Sequence, residues 1–368
     1  MEIVHLILGK ANPNRMNGVN KVVYQLASRQ ALSKRDVSIW GVTKDLNHNY
    51  GERPFQTLLF LAHKNPFKID KRLKSKLIEE RHNIVVHLHG GWIPIYFSLA
   101  VFLKKHSIPF VLTPHGAYNE IAMRRNKLFK KIYFLFFERV LLKNVSKVHS
   151  LGVSEVNGLN RIYKNDKSIL IPYGFELNPK DYNSKNDSTF IIGYVGRIDI
   201  YTKGLDILLN SFKEVENVLG DVQLQIVGDG SDLDKLKSLA KEMGINKIHF
   251  FGSKYDDEKN EIINNFDLFV HPSRNEGLPT AVIEAASFSV PSLVTEATNL
   301  GALLTKYNAG IVVENDDIPS FIDGLNLAHE FYKKKELIIK GKNALRLLTE
   351  EFNWDKVVND FDKLYQVK

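Results

Sequence analysis

Nine short apolar or β-branched runs punctuate the chain: "IVHLIL", "DVSIWGV", "NIVVHLH", "PFVLTPH", "FIIGYVG", "VQLQIVG", "KIHFFG", "FDLFVHPS" and "PSLVTE". Segments of helical period separate them. Parallel strands need a crossover connection, and a helix that crosses over covers a sheet face, so this alternation predicts βαβ units and parallel sheets. The polar stretch "PKDYNSKNDST", residues 179–189, interrupts the pattern, which then starts afresh. It reads as a linker. The expectation is an α/β protein of two doubly wound domains, over residues 1–178 and 188–353, with the crevice between them as the default ligand site. The last segment, "FNWDKVVNDFDKLYQVK", reads as a helix with aromatic anchors, and over about 354–368 it is free to pack back on the first domain.

Composition adds bounds. The 368 residues are 44% hydrophobic and 25% charged, which fits a soluble globular chain long enough for two domains. The N-terminus, "MEIVHLILGK", has an apolar run of at most seven and an acid at position 2, so it resembles neither a secretory signal nor a membrane span of about 20 residues. It reads as a first buried strand. Cysteine is absent, which excludes a disulfide framework and thiolate metal sites and fits a cytoplasmic address.

Charge is distributed unevenly. Residues 1–187 hold 30 Lys and Arg against 14 Asp and Glu, and the remainder 20 against 28, giving halves of +16 and −8. A basic half fits an anionic membrane surface or nucleic acid; equally, two surfaces of opposite sign attract one another. No basic stretch with interleaved stacking aromatics marks a known nucleic-acid module. The segment "RRNKLFKKIYFLFFERVLLKNVSK", residues 124–147, has five cations in its first eight positions and then an apolar run broader than one stripe. Two readings stand: a basic aromatic helix laid on an anionic bilayer, or a helix buried on several sides.

Chemistry concentrates in two places. "HPSRNEGLPTAVIEAAS", residues 271–287, carries Glu276 and Glu284 with seven residues between them. Gly277 and Pro279 stand where a strand turns into the helix "TAVIEAAS", whose free N–H groups and dipole, about half a positive charge, make an anion site. Carboxylates accept hydrogen bonds from the vicinal hydroxyls of a sugar or ribose, a reason for acids beside that site; a capping Glu276 and a solvated Glu284 are the plain alternative. In "GYVGRIDIYTKGLDILL" a strand ends at Gly196, Arg197 follows, and Lys203 and Gly204 open the next helix. A fork of donors and a point charge at a strand end suit a pyrophosphate. His87 and His89 alternate on one strand and with His115 mimic a metal cluster, but no carboxylate at ligand spacing joins them and no metal is expected. "DLD" at 232–234 has the form of a metal-binding D-x-D, yet it opens a helix where acids complement the dipole, and "HGGW" at 89–92 is a strand-end turn with an open role.

"GRIDIYTKGLDILL", "VGDGSD", "FFGS" and "HPSRNEGLPTAVIEA", in that order over residues 190–300, resemble successive motifs of the retaining GT-B glycosyltransferases of family 4. The resemblance implies two Rossmann-like domains facing across a cleft, the donor in the C-terminal one and the acceptor reached through the N-terminal one. It assigns Arg197 and Lys203 to the diphosphate of a nucleotide-sugar, Glu284 to the ribose hydroxyls and Glu276 to the donor sugar. The backbone at Gly277, Leu278, Pro279 and Thr280 would cap a phosphate, and Gly228, Gly252 and Ser253 would line the base pocket. Asn17 and Gly18 stand where the family commonly has two glycines; Gly18 fits close approach to a phosphate or acceptor, and Asn17 departs from the pattern. "VLTPHGAY" resembles the family's active-site histidine segment, which puts His115 near the transferred sugar.

The implied reaction is metal-free, cofactor-free transfer with retention from a nucleotide-diphosphate sugar, a UDP-sugar first, to a glycan or lipid-linked acceptor of surface polysaccharide synthesis. Glu276 and His115 would orient the sugar while Arg197 and Lys203 stabilise the leaving diphosphate. The expected place is the cytoplasm or the inner face of a membrane reached through residues 124–147. An epimerase or phosphorylase on the same architecture is the rival enzyme class, and a basic nucleic-acid-binding protein the rival outside enzymes.

Overall fold

The computed structural model describes residues 1–12, 18–47, 51–119, 123, 127–175, 189–274, 276 and 278–367, with the Lys127 side chain left out. The predicted linker therefore lies outside the described residues except for Thr189. The chain forms two compact units: Met1–Gly174 together with Trp354–Lys368, and Phe175–Asn353.

The first unit holds β1 (Glu2–Leu8), β2 (Val37–Thr43), β3 (Gln56–Leu61), β4 (Ile84–His89), β5 (Phe110–Thr113), β6 (Lys147–Ser150) and β7 (Ser168–Leu170) in one sheet of order β3-β2-β1-β4-β5-β6-β7. Every pairing is parallel. Alternation along β1 sends Val4 and Leu6 into one core with Trp40, Tyr96 and Phe110, and Ile3 and Ile7 into another with Val23, Leu26 and Phe361. A sheet with a core on each face is doubly wound, which is why its strands read as continuous apolar runs.

The second unit repeats the plan with β8 (Phe190–Val195), β9 (Val222–Val227), β10 (Ile248–Gly252), β11 (Leu268–His271), β12 (Ser292–Thr295) and β13 (Gly310–Val313), ordered β10-β9-β8-β11-β12-β13 and again parallel. In both sheets the order reverses beside the first strand, at β1–β4 and β8–β11, where crevices open at the strands' carboxyl ends.

Four strands escaped the apolar pattern. β3, β7 and β13 are sheet edges, so one side of each meets solvent or a single neighbour, and β6 is only four residues long. Short strands carry too few residues for period or run length to register.

The final helix, Trp354–Tyr365, belongs to the first unit because of its apolar spacing. Val357, Val358, Phe361, Leu364 and Tyr365 form one buried stripe, and the indole of Trp354 lies against Gly174, where even a methyl group would overlap it. Arg35 holds the helix from outside through Asp362, at 2.6 Å.

The basic aromatic segment is helical over Lys127–Tyr133 and Arg139–Asn144, joined by one wide π turn, Phe134–Glu138. Its breadth of apolar residues resolves into two faces. Tyr133, Leu141 and Leu142 are buried, while Leu128, Phe129, Ile132, Leu135 and Phe136 form an exposed stripe. Among the described residues no helix is long and apolar enough to cross a membrane.

Candidate functional site

The motif residues of the second unit come together because two loops at the carboxyl ends of β8 and β11 are tied to each other. Arg274 makes a bidentate pair with Asp206, at 2.7 and 2.8 Å, and also binds Asp316 and the Tyr201 carbonyl. Its own N–H and the Ser273 hydroxyl both reach the Thr202 carbonyl, at 3.1 and 2.9 Å. Gly204 completes the approach. It has φ +63°, and a Cβ there would overlap the Pro272 carbonyl oxygen.

This clamp brings Lys203 to Glu276. The ammonium donates to Glu276 Oε1, and His271 Nε2–H donates to the same oxygen at 2.8 Å. Asn299 holds the Glu276 backbone carbonyl at 2.7 Å. Burial alone would raise the Glu276 carboxyl, but the His271 bond and the Lys203 charge overcome it and pull it down to about 2. Glu276 is thus a fixed anion at any working pH. His271, at the end of β11, was not singled out from sequence, although it stands inside the quoted motif and at the strand end where ligands gather.

Arg197 is placed differently. Its side chain is 67% exposed and pairs with Asp199 at 3.1 Å, an ion pair that contributes little and is readily exchanged for a ligand anion. It lines an open depression of about 290 Å³ together with Gly228, Ser253, Lys254 and Lys259. Gly228 has φ +141°, packs against the Gly196 carbonyl and donates to the Gly252 carbonyl at 2.8 Å. Lys259 joins this depression to Glu284, at 2.8 Å. Sequence reading missed Lys254 and Lys259: each is one lysine on a charged stretch, and only the fold aims them at the same hollow.

Glu284 lies in the helix Thr280–Ser287, whose first turn has no side-chain cap; Pro279 precedes it, Leu278 is partly exposed and Thr280 exposed. The Val282 N–H turns back to the Pro279 carbonyl at 3.1 Å, which leaves the N–H groups of Thr280 and Ala281 to meet a ligand acceptor. Gly277 lies outside the described residues, as does Asn17. Gly18 opens the helix Gly18–Leu32, and a Cβ on it would meet nothing within 4 Å among the described residues. The D-x-D resolves as structural: Asp232 accepts the Ile200 N–H at 2.9 Å.

The first unit holds a buried polar chain around His115. His149 Nε2 lies 2.7 Å from the Ile171 carbonyl, which can only accept, so His149 carries its proton on Nε2. Thr113 then donates to His149 Nδ1 (2.8 Å), His87 Nε2–H to Thr113 (2.6 Å), Tyr365 to His87 Nδ1 (2.9 Å) and the Gln30 amide to Tyr365 (3.1 Å). From Gln30 Oε1 the sense continues: His5 Nε2–H donates to it (2.7 Å), His89 Nε2–H to His5 Nδ1 (2.9 Å), His115 Nε2–H to His89 Nδ1 (3.0 Å) and Tyr173 to His115 Nδ1 (3.2 Å). Every nitrogen of the five imidazoles is used once. His5, His87 and His89 have ligand atoms within 4.8 Å of one another, the geometry of a metal cluster, and their hydrogen bonds already occupy those atoms.

The loop that carries His115 rests on two buried acids. Glu155 accepts the Gly116 N–H at 2.6 Å and the Leu151 N–H at 3.2 Å. Glu138 accepts the Trp92 N–H at 3.0 Å and the Tyr118 hydroxyl, while the Trp92 indole donates to the Ala117 carbonyl. "HGGW" thus has a role: it braces the histidine loop.

Two doubly wound parallel sheets, the second with cations gathered at its strand ends, define an α/β class, and comparison with known proteins narrows it. The family model "Glycosyl transferases group 1" matches residues 176–345, and "Glycosyltransferase Family 4" matches residues 16–178. The chain belongs to these family 4, group 1 glycosyltransferases, and its fold is GT-B. It is 24% identical to an uncharacterized glycosyltransferase of Haemophilus influenzae over 95% of this chain and 96% of that one. It is 27% identical to the Escherichia coli UDP-Gal:alpha-D-GlcNAc-diphosphoundecaprenol alpha-1,3-galactosyltransferase, over 79% of this chain and 77% of the relative. Among solved structures, Anabaena HepE in complex with UDP-glucose superposes with a TM-score of 0.69 at 14% identity, covering 100% of both chains.

Burial sets the charge of the histidine chain. It lowers His5 and His149 to about 4 and His115 to about 3, and holds His87 and His89 well below the ordinary imidazole value. Burial also raises Glu155, to about 7, and Glu138. The unfolded chain binds more protons than the fold at these five imidazoles below about pH 6.5, so their contribution is complete above that pH and lost as pH falls toward 4. The two acids oppose this, since their contribution declines as pH rises, but five groups outweigh two. Melting followed by circular dichroism should therefore show Tm falling by about 5 °C or more from pH 7 to pH 5. A flat Tm across that window would mean that the imidazoles are solvated.

Proposed function

We propose that this glycosyltransferase moves a sugar, with retention at the anomeric carbon, from a nucleotide-diphosphate sugar to a glycan or lipid-linked acceptor in surface polysaccharide assembly. The convergence of Lys203 and His271 on one oxygen of Glu276 carries the reading. It fixes a permanent anion beside cations, an arrangement that suits sugar hydroxyls on one side and a diphosphate on the other. Lys203 has three donor protons, so its ammonium can hold Glu276 and a phosphate oxygen together. UDP is the favoured nucleotide, on the strength of the UDP-Gal donor named for the E. coli relative and the UDP-glucose in HepE. The same relative, named for a diphosphoundecaprenol substrate, supports a lipid-linked acceptor.

As the sugar–phosphate bond breaks, negative charge grows on the diphosphate and positive character on the sugar. Arg197, Lys203 and the uncapped N-terminus at Thr280 stabilise the first, an effect of about 10²–10³ in rate per preorganised donor. The departing phosphate oxygen takes the acceptor's proton on the same face, which gives retention without a protein nucleophile. Glu276 orients the sugar. His115 contributes through Nδ1: a sugar hydroxyl, itself a donor, replaces the Tyr173 hydroxyl there one for one. Glu284 and Lys259 reach the ribose side, and Gly228, Gly252 and Ser253 the base. The proposal includes no metal.

Thermal shift with UDP, GDP and ADP tests the donor site, because a ligand at 100 times its Kd adds about 2.7 kcal/mol. UDP should stabilise the wild type, equally with EDTA, and lose its effect on Arg197→Ala; no shift with any nucleotide would remove the donor reading. Glu276→Ala should lower kcat by about 10²-fold or more while changing UDP affinity less than tenfold, and unchanged turnover would take Glu276 out of the site.

The stripe Leu128, Phe129, Ile132, Leu135 and Phe136, with Lys130 and Lys131 beside it, suits an anionic bilayer, from which a lipid-linked acceptor would be presented. Cosedimentation with phosphatidylglycerol vesicles should fall at least tenfold in Phe129→Glu/Phe136→Glu and with rising salt. Equal binding by the variant would turn the segment back into ordinary surface.

A further inference from the structure

The buried chain that ends at His115 passes through one group whose polarity resists reversal. Imidazoles exchange tautomers and hydroxyls rotate, but Gln30 presents Oε1 to His5 and Nε2 to Tyr365 and reverses only if a fully buried side chain flips. Each member between Ile171 and Tyr173 gives one hydrogen and receives one, so the direction on either side of Gln30 is all or none. At the far end the consequence is chemical. With the observed sense, His115 Nδ1 is an acceptor; with the opposite sense it is a donor. Its bond to Tyr173, at 3.2 Å, is the longest in the chain and so the one most readily exchanged for a ligand.

We propose that Gln30, three hydrogen bonds away from His115, is a positioning residue that fixes the His115 tautomer through His5 and His89 and so presents Nδ1 as an acceptor for a sugar hydroxyl. The final clause rests on the role given to His115 above. The tautomer assignment stands apart from it.

Removing the Gln30 amide separates the two. In Gln30→Met, the original sense would leave His5 Nε2–H as an orphaned buried donor, whereas the reversed sense leaves only a lone pair, the cheaper defect. His5 and His89 then switch together, and His115 carries its proton on Nδ1, donating to Tyr173. Gln30→Glu keeps the original sense: burial holds the acid neutral, with one acceptor for His5 and one donor for Tyr365, as in the amide.

Long-range ¹⁵N–¹H correlation of ¹⁵N-histidine-labelled protein reads each tautomer, with His115 assigned by His115→Asn and folding checked by thermal melts. The expected result is Nε2–H at His115 in wild type and Gln30→Glu, and Nδ1–H in Gln30→Met, with Gln30→Leu in its place if that variant does not fold. Nδ1–H at His115 in wild type, or Nε2–H retained in the apolar variants, overturns the proposal. Kinetics tests the last clause: kcat should fall roughly tenfold in Gln30→Met at unchanged nucleotide KM, and recover in Gln30→Glu. A switched tautomer with unchanged turnover supports the Gln30 assignment and overturns the sugar contact at His115.

Discussion

Arg274 ties the loops after β8 and β11 to each other, with the Ser273 hydroxyl on the Thr202 carbonyl beside it. Its guanidinium closes on Asp206 with two nearly equal bonds and reaches Asp316 and Tyr201 besides. A planar fork of five donors can serve three acceptors at once, which a lysine ammonium on a flexible stem does less rigidly. Lys203 and Glu276 are 73 residues apart in sequence, and their contact depends on this clamp and on the bare Gly204 that lets the Pro272 carbonyl come close. The clamp decides where the groups assigned to the ligand can stand.

The first unit solves a different problem by a related principle. Five histidines sit among the buried strands and loops of one sheet, where an unpaired polar atom or a charge would be costly. The solution is a chain with one hydrogen per link, anchored on a carbonyl that cannot donate. Charge is excluded by burial and direction by the anchor and the amide, so the end of the chain at His115 inherits a defined state from groups deep in the sheet. Rigid loops and a defined proton position are the two forms of preorganisation that differential stabilisation of a transition state needs.

Several residues of the candidate site were legible because their signal is local. Arg197, Lys203, Gly204, Glu276 and Glu284 stand at fixed offsets from a strand end or helix start, and family resemblance reinforced them. His271 was equally local but passed over, since a histidine at a strand end has many structural uses. Lys254, Lys259 and Arg274 carry no such signal. Arginines and lysines are common on surfaces; what distinguishes Lys259 and Arg274 is which acid each meets, across 25 and 68 residues of sequence, and what distinguishes Lys254, paired with Glu258 on its own stretch, is the hollow it lines.

Hydrophobic period and run length determined the class of fold, because a strand buried on both faces must be apolar throughout and a crossover helix must be apolar on one side. They also determined where the chemistry-bearing turns fall. The edges β3, β7 and β13, the return of the last helix to the first unit and the two-faced character of residues 127–144 were decided by tertiary packing, which alone says which apolar face finds a partner. The histidine chain is the clearest division. His5, Gln30, His87, Thr113, His149 and Tyr365 are scattered over the whole sequence, so no window contains their relation; only the parallel sheet and the helices against it bring them within hydrogen-bonding distance and give the chain its direction.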